Sequence, residues 1–196
     1  MAAFGVEGTG SFGAGLTRFL SGRGRTVVEV IRPDRSTRRR LGKSDSIDAE
    51  AAARSVLAGT SHGSPKSGTH SVEMIRMLKV VKDSAMKART QATNQVKSLV
   101  LTAPAELRLA LDGLSASGLI RRCAGFRPGD VATPTAAARL ALRSLARRHR
   151  QLTAELKVVN AELARITAEV APALLQAFCV GPDSAAALLI TAGDNP

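Results

Sequence analysis

From Leu142 to Val170 the apolar positions advance by three or four residues without a break: Leu142, Leu145, then His149, Leu152, Leu156, Val159, Leu163, Ile166 and Val170. A repeat of 3.5 residues sustained over four heptads keeps one edge of a helix turned towards a partner helix, so the spacing predicts a long coiled-coil helix. Thr133 and Pro134 stand where its N-cap and first helical position should be. His149 reads as a polar register residue on the seam, because no second His or Cys lies at ligand spacing. A thinner stripe runs through Met74, Leu78, Val81, Ala85, Ala88, Ala92, Val96 and Leu99, flanked by Arg76, Lys79, Lys82, Lys87, Arg89 and Lys97. It predicts a second helix. Its alanines make a thin partner for the leucine seam, so we expect a second copy of the chain to complete that seam in a homo-oligomer.

The first sixty residues follow a different pattern. "AAFGVE" is a short apolar run ending at a glycine-rich turn, and "RTVVEVI" is β-branched, so both read as strands. "GAGLTRFLSGRG" between them has helical spacing at Leu16, Phe19 and Leu20, and "DSIDAEAAARSVLAG" reads as an alanine-rich helix stopping at Gly59. The chain thus divides into an α/β zone at 1–60, a Gly/Ser/Pro linker at 61–71, a helical coiled-coil region at 72–171 and a tail at 172–196. Two strands, near residues 3–7 and 26–32, cannot bury both faces of a parallel sheet, so the first zone is expected to be only marginally stable. In the tail, "CVGPDSAAALLITAGD" suggests half of a helix-hairpin-helix, whose turn can aim backbone N–H groups at a phosphate near Asp183.

Charge narrows the partners. Lys and Arg total 28 against 16 Asp and Glu, a formal charge of +12, which points to a polyanion and foremost to nucleic acid. The rival is a solvated basic surface. Aromatic residues make up 3 % of the chain, with no Trp or Tyr, so base stacking on single strands is disfavoured against contact with a phosphate backbone. Cys123 and Cys179 lie far apart without a CxxC, which argues against a disulfide framework or a zinc site and suits a reducing cytoplasm. Neither a signal peptide nor a run of membrane length is visible, so a cytoplasmic protein without a membrane partner is expected.

Candidate chemistry clusters near the front. "GTGSFG", Gly8 to Gly13, matches GxGxxG between a strand and a helix, and Glu29 lies about where a dinucleotide fold keeps its ribose-binding acid. That would make the chain an NAD(P)-binding oxidoreductase. Glu29, however, sits inside its strand, and no further βα units follow residue 60. The competing reading uses Glu7, which closes the first strand at the edge where open α/β sheets place their sites. Asp45 and Asp48, at i and i+3, share a helix face about 5–6 Å apart. Three such carboxylates should converge within a few ångströms to hold Mg²⁺, an oxygen-seeking ion suited to phosphoryl transfer. The bland alternative makes Asp45 an N-cap and Asp48 a first-turn residue favoured by the helix dipole. The densest basic run, "RPDRSTRRRLGK", brings Arg38, Arg39, Arg40 and Lys43 directly upstream, ready for phosphate.

Taken together, "FGVEGTGSFGAGL" and "RRRLGKSDSIDAEAAARSVLAG" resemble the DEDD transposases of the IS one-ten/Piv group of bacterial insertion sequences. The resemblance implies a RuvC/RNase H-like catalytic unit over 1–60, a coiled coil, and from residue 172 the start of a second transposase domain. It implies Glu7, Asp45 and Asp48 as the second, third and fourth acids of the family's tetrad, Mg²⁺ as cofactor, and DNA with a structured guide RNA as partners. Cys179 stands where the family commonly has glycine before a Val-Gly-Pro turn. No residue can be assigned as the family's first acid or nucleophilic serine, so the expectation is a truncated DNA-transposition protein that binds nucleic acid and does not recombine DNA by itself. A basic coiled-coil nucleic-acid binder without catalysis is the other reading.

Overall fold

A computed structural model of the chain describes residues 3–30, 44–61, 63–65, 68 and 70–193. The chain divides into two compact units, Met1–Glu73 with Leu188–Pro196, and Met74–Ala187. It is mostly helical with one small parallel sheet, an α/β part followed by an α part.

In the first unit, β1 (Ala3–Glu7) pairs with β2 (Thr26–Val30) in parallel, Ala3 opposite Thr26 and Glu7 opposite Val30. Parallel neighbours cannot be joined by a tight turn, and α1 (Ala14–Gly22) supplies the crossover. The chain leaves α1 through Gly24, whose φ of +68° suits a residue without a Cβ. The helix α2 (Asp45–Leu57) packs on β1, and Gly5 permits the approach. A Cβ there would lie 2.9 Å from Val56 Cγ2 and 3.0 Å from the carbonyl oxygen of Ala52. Val6, Val27, Val30 and Ala52 are the buried apolar residues of this unit, while Phe12, Leu16, Phe19 and Leu57 stay exposed. So much uncovered apolar surface agrees with the expectation that two strands bury too little. The expected linker is partly anchored: Gly63 forms an antiparallel bridge to Glu29, whose N–H donates to the Gly63 carbonyl at 2.7 Å.

The second unit takes in most of α3 (Ser71–Thr102), then α4 (Ala105–Leu109), α5 (Ala116–Ala124), α6 (Pro134–Val170), α7 (Pro172–Gln176) and the head of α8 (Pro182–Ala192). Pro104, which cannot continue the backbone ladder, follows the end of α3. The cap of α6 is as the sequence predicts: Thr133 Oγ1 accepts from the Ala136 N–H at 3.2 Å, and Pro134 takes the first turn. Ser115 caps α5 in the same way through the Gly118 N–H. A core joins Val96 and Ala103 with Leu107, Leu111, Ile120, Cys123, Leu142 and Ala146.

On α6, Leu142, Leu156, Val159, Leu163 and Ile166 are buried within a single chain. On α3 the buried positions are Ile75, Ala85, Ala92 and Val96, with Ile75 rather than Met74 at the head of the stripe. The alanines at 85 and 92, 3 % and 1 % exposed, are therefore no bar to a tight core. Leu145, His149 and Leu152 are half-buried and Val170 is exposed, so part of the seam expected to pair with a second copy stays at the surface of the single chain.

Candidate active site and nucleic-acid interface

The turn after β1 is built by its glycines. Gly8, at φ +64°, offers its carbonyl to the N–H groups of Ser11 (2.8 Å) and Gly13 (3.0 Å). Gly13 lies so close beneath the strand end that a Cβ would be 2.5 Å from the Glu7 carbonyl oxygen and 2.8 Å from Val6 Cγ1. The first and last glycines of GxGxxG thus answer backbone and packing demands, while Gly10 stands in open space. Glu29 is already engaged: Thr9, itself buried, donates its hydroxyl to Glu29 Oε1 at 2.7 Å, and the Glu29 backbone N–H is held by Gly63. The acid needed for a ribose is thereby tied into the unit's own framework, which speaks against the dinucleotide reading. The sequence reading missed Thr9; nothing local marks a hydroxyl whose partner is twenty residues away.

Glu7 is exposed at the C-terminal end of β1. Side chains alternate along a strand, so Glu7 shares the sheet face of Gly5, the face on which α2 packs. Asp45 and Asp48 both lie in the first turn of α2, Asp45 exposed and Asp48 half-buried. The N-cap is Ser44, whose Oγ accepts from the Ile47 N–H at 3.3 Å, so Asp45 does not have the capping role that the bland alternative gave it. Both aspartates gain from the positive end of the helix dipole.

The three carboxylates are nevertheless not gathered. Among the described residues no group of three or more His, Cys, Asp or Glu side chains could hold a metal ion. Glu7, Asp45 and Asp48, expected to converge within a few ångströms, do not form such a group. One acid closes a strand and the others head a helix, and a shared face does not by itself bring strand end and helix head into contact. The expected phosphate-binding cations Arg38, Arg39, Arg40 and Lys43 lie outside the described residues.

In the tail, the head of α8 carries an acid that is engaged with α3. Asp183 bonds Lys79 Nζ and Lys82 Nζ on α3, each at 2.8 Å, and Lys79 also meets Asp83 at 3.1 Å. The bonds from Lys79 and then Lys82 hold the Asp183 carboxyl below its ordinary range, and Asp183 likewise holds the Lys79 ammonium above its own. Cys179 adopts φ +63°, the left-handed backbone that glycine favours. Burial pushes the Cys123 thiol up to about 11 against the opposing pull of Arg122, so it stays protonated and inert in the core. No helix among the described residues is long and apolar enough to cross a membrane.

A parallel strand closed by an acid, a helix headed by two more and a long basic helical region make up the arrangement that known families can be compared with. Residues 1–103 match the family described as transposase, the DEDD type of IS110. That span is 103 of 196 residues, and the chain belongs to the IS110 family of DEDD transposases. No curated protein and no solved structure matches the chain.

Proposed function

We propose that residues 1–60 are a RuvC-like unit of a DNA-transposition protein, with Glu7, Asp45 and Asp48 as its acids and Arg38, Arg39, Arg40 and Lys43 holding nucleic acid beside them. The observation that carries this reading is that the family match runs across all seven positions, while Glu7 ends a parallel strand on the face that the helix of Asp45 and Asp48 covers. Ligands of open parallel sheets collect at the C-terminal ends of strands. A divalent ion, Mg²⁺ by preference for carboxylate oxygen, would supply charge for phosphoryl transfer there. The dispersed carboxylates make its affinity low. With neither a first acid nor a nucleophilic serine assigned, the chain binds nucleic acid and does not exchange strands by itself. Duplex DNA and structured RNA are its partners by charge, and residues 172–196 open a second transposase domain.

Mn²⁺, a paramagnetic substitute for Mg²⁺, tests the site. In backbone amide spectra, signals of residues 7, 45 and 48 should broaden first as the ion is added. Broadening that begins at other carboxylates would overturn the assignment. It would favour the second reading, a basic coiled-coil nucleic-acid binder without catalysis.

A further inference from the structure

Within the helical unit, α3, α5 and α6 line an open cavity of about 880 Å³ whose lining includes Arg89, Arg121, Arg150, Lys157 and His149 and no Asp or Glu. None of these four cations is paired with a carboxylate among the described residues. Grouped like charges with no counter-charge repel one another, and such a lining stores a field that an anion relieves. His149 also lines the cavity. Its Nδ1 is shielded from water and has no hydrogen-bond partner, so the ring meets a ligand through its remaining edge and answers to the charge placed beside it.

The layout fits a chain of anions better than a single one. Arg150 and Lys157 are seven residues apart on one face of α6, which at 1.5 Å per residue is about 10 Å along its axis. A nucleic-acid duplex carries a charge every ~3.4 Å along each strand, so Arg150 and Lys157 match phosphates about three steps apart on one strand. Arg89 enters from α3 and Arg121 from α5, so the cations converge from three helices. We infer that this cavity is a second nucleic-acid site, which seats backbone phosphates against Arg89, Arg121, Arg150 and Lys157 with His149 at its floor. It is separate from the carboxylates of the α/β unit and does not depend on their assignment. The contacts position a strand and read no bases.

His149 reports occupancy. Burial and then the charge of Arg89 hold its imidazole below the ordinary range. Arg121, Arg150 and Lys157 also face the cavity as cations, so nothing there favours the charged ring. A phosphate in the cavity should reverse this and raise its pKa. The experiment uses the full chain, with imidazole resonances followed by NMR against pH and His149→Gln to assign the signal. Short duplex DNA, and inorganic phosphate in a second arm, should each move the His149 titration upward. In parallel, Arg89→Ala with Lys157→Ala should lower the slope of log affinity for duplex against log salt by about 1.8, or ~0.9 per lost contact. An unmoved His149 titration with duplex bound overturns the inference without any variant. A His149 that responds to inorganic phosphate while the double variant keeps its duplex affinity and slope identifies a small-anion pocket, and also overturns it. Because neither Glu7 nor α2 enters either readout, failure here leaves the carboxylate proposal standing, and the reverse.

Discussion

Leu163→Ala tests how the long helices are held together. Leu163 is 1 % exposed in the single chain, so the substitution removes three carbons from a fully packed position. At about 0.8 kcal/mol per carbon the transfer loss is about 2.4 kcal/mol. The cavity left behind brings the total to about 3–4 kcal/mol, inside the range seen for buried leucines. With a urea dependence of about 2 kcal/mol per molar, the unfolding midpoint should fall by about 1.5–2 M. Helical circular dichroism followed through urea titrations, at two protein concentrations well apart, reads this directly. Because Leu163 itself is covered inside one chain, its packing predicts midpoints of parent and variant that are each the same at both concentrations. A parent midpoint that climbs with concentration, and a variant that loses the climb, would show that another copy completes the seam. A loss below about 1 kcal/mol would show that position 163 is not packed as described.

Cys179→Gly should stabilise the chain by about 0.5–1 kcal/mol, since a left-handed residue with a Cβ costs about 1–2 kcal/mol and glycine gives back part of that as unfolded-state entropy. Cys179→Ala keeps the Cβ and should show no gain in the same thermal melts. Asp183→Asn should cost no more than about 1 kcal/mol near neutral pH, because Asp183 is half exposed and solvent screens its pairs with Lys79 and Lys82. The pH window follows from the signs. The lowered carboxyl of Asp183 contributes above its unfolded pKa near 3.8, and the contribution fades as pH falls through the depressed folded value. The raised ammonium of Lys79 contributes below its unfolded pKa of 10.5 and fades as pH rises through the folded value. Parent and variant stabilities should therefore differ most between these limits, and a difference that persists at both extremes would rule out the ion pairs as its source.

What the sequence reveals depends on how far apart the interacting residues are. The seam on α6 is legible because a 37-residue helix repeats its pattern many times, and its cap is legible because Thr133 and Pro134 are adjacent. The head of the α3 stripe is misplaced by one residue, since a 3.5-residue pattern drifts against a 3.6-residue helix and the first turn has few repeats to fix it. The five residues of α4 are too short to show any period. The pairing of Asp183 with Lys79 spans 104 residues, so Asp183 looks unpaired until the helices are assembled. The acids of the candidate site are legible as residues. Their separation in space is not, because it depends on how α2 is set on β1.

The small sheet also governs how these molecules behave in company. On the side away from β2, β1 has no strand beside it among the described residues, and Phe12 and Phe19 are exposed in the same unit. Bare edges and aromatic surface favour sticking between molecules. Against them stands a charge of +12, which keeps equal molecules apart through mutual repulsion. Colloidal stability thus rests on the same cations that would bind a polyanion. Salt shortens the reach of the repulsion, and nucleic acid near charge balance cancels it. Light scattering should accordingly be low in dilute buffer, peak when added duplex matches the protein's charge, and fall again once duplex is in excess.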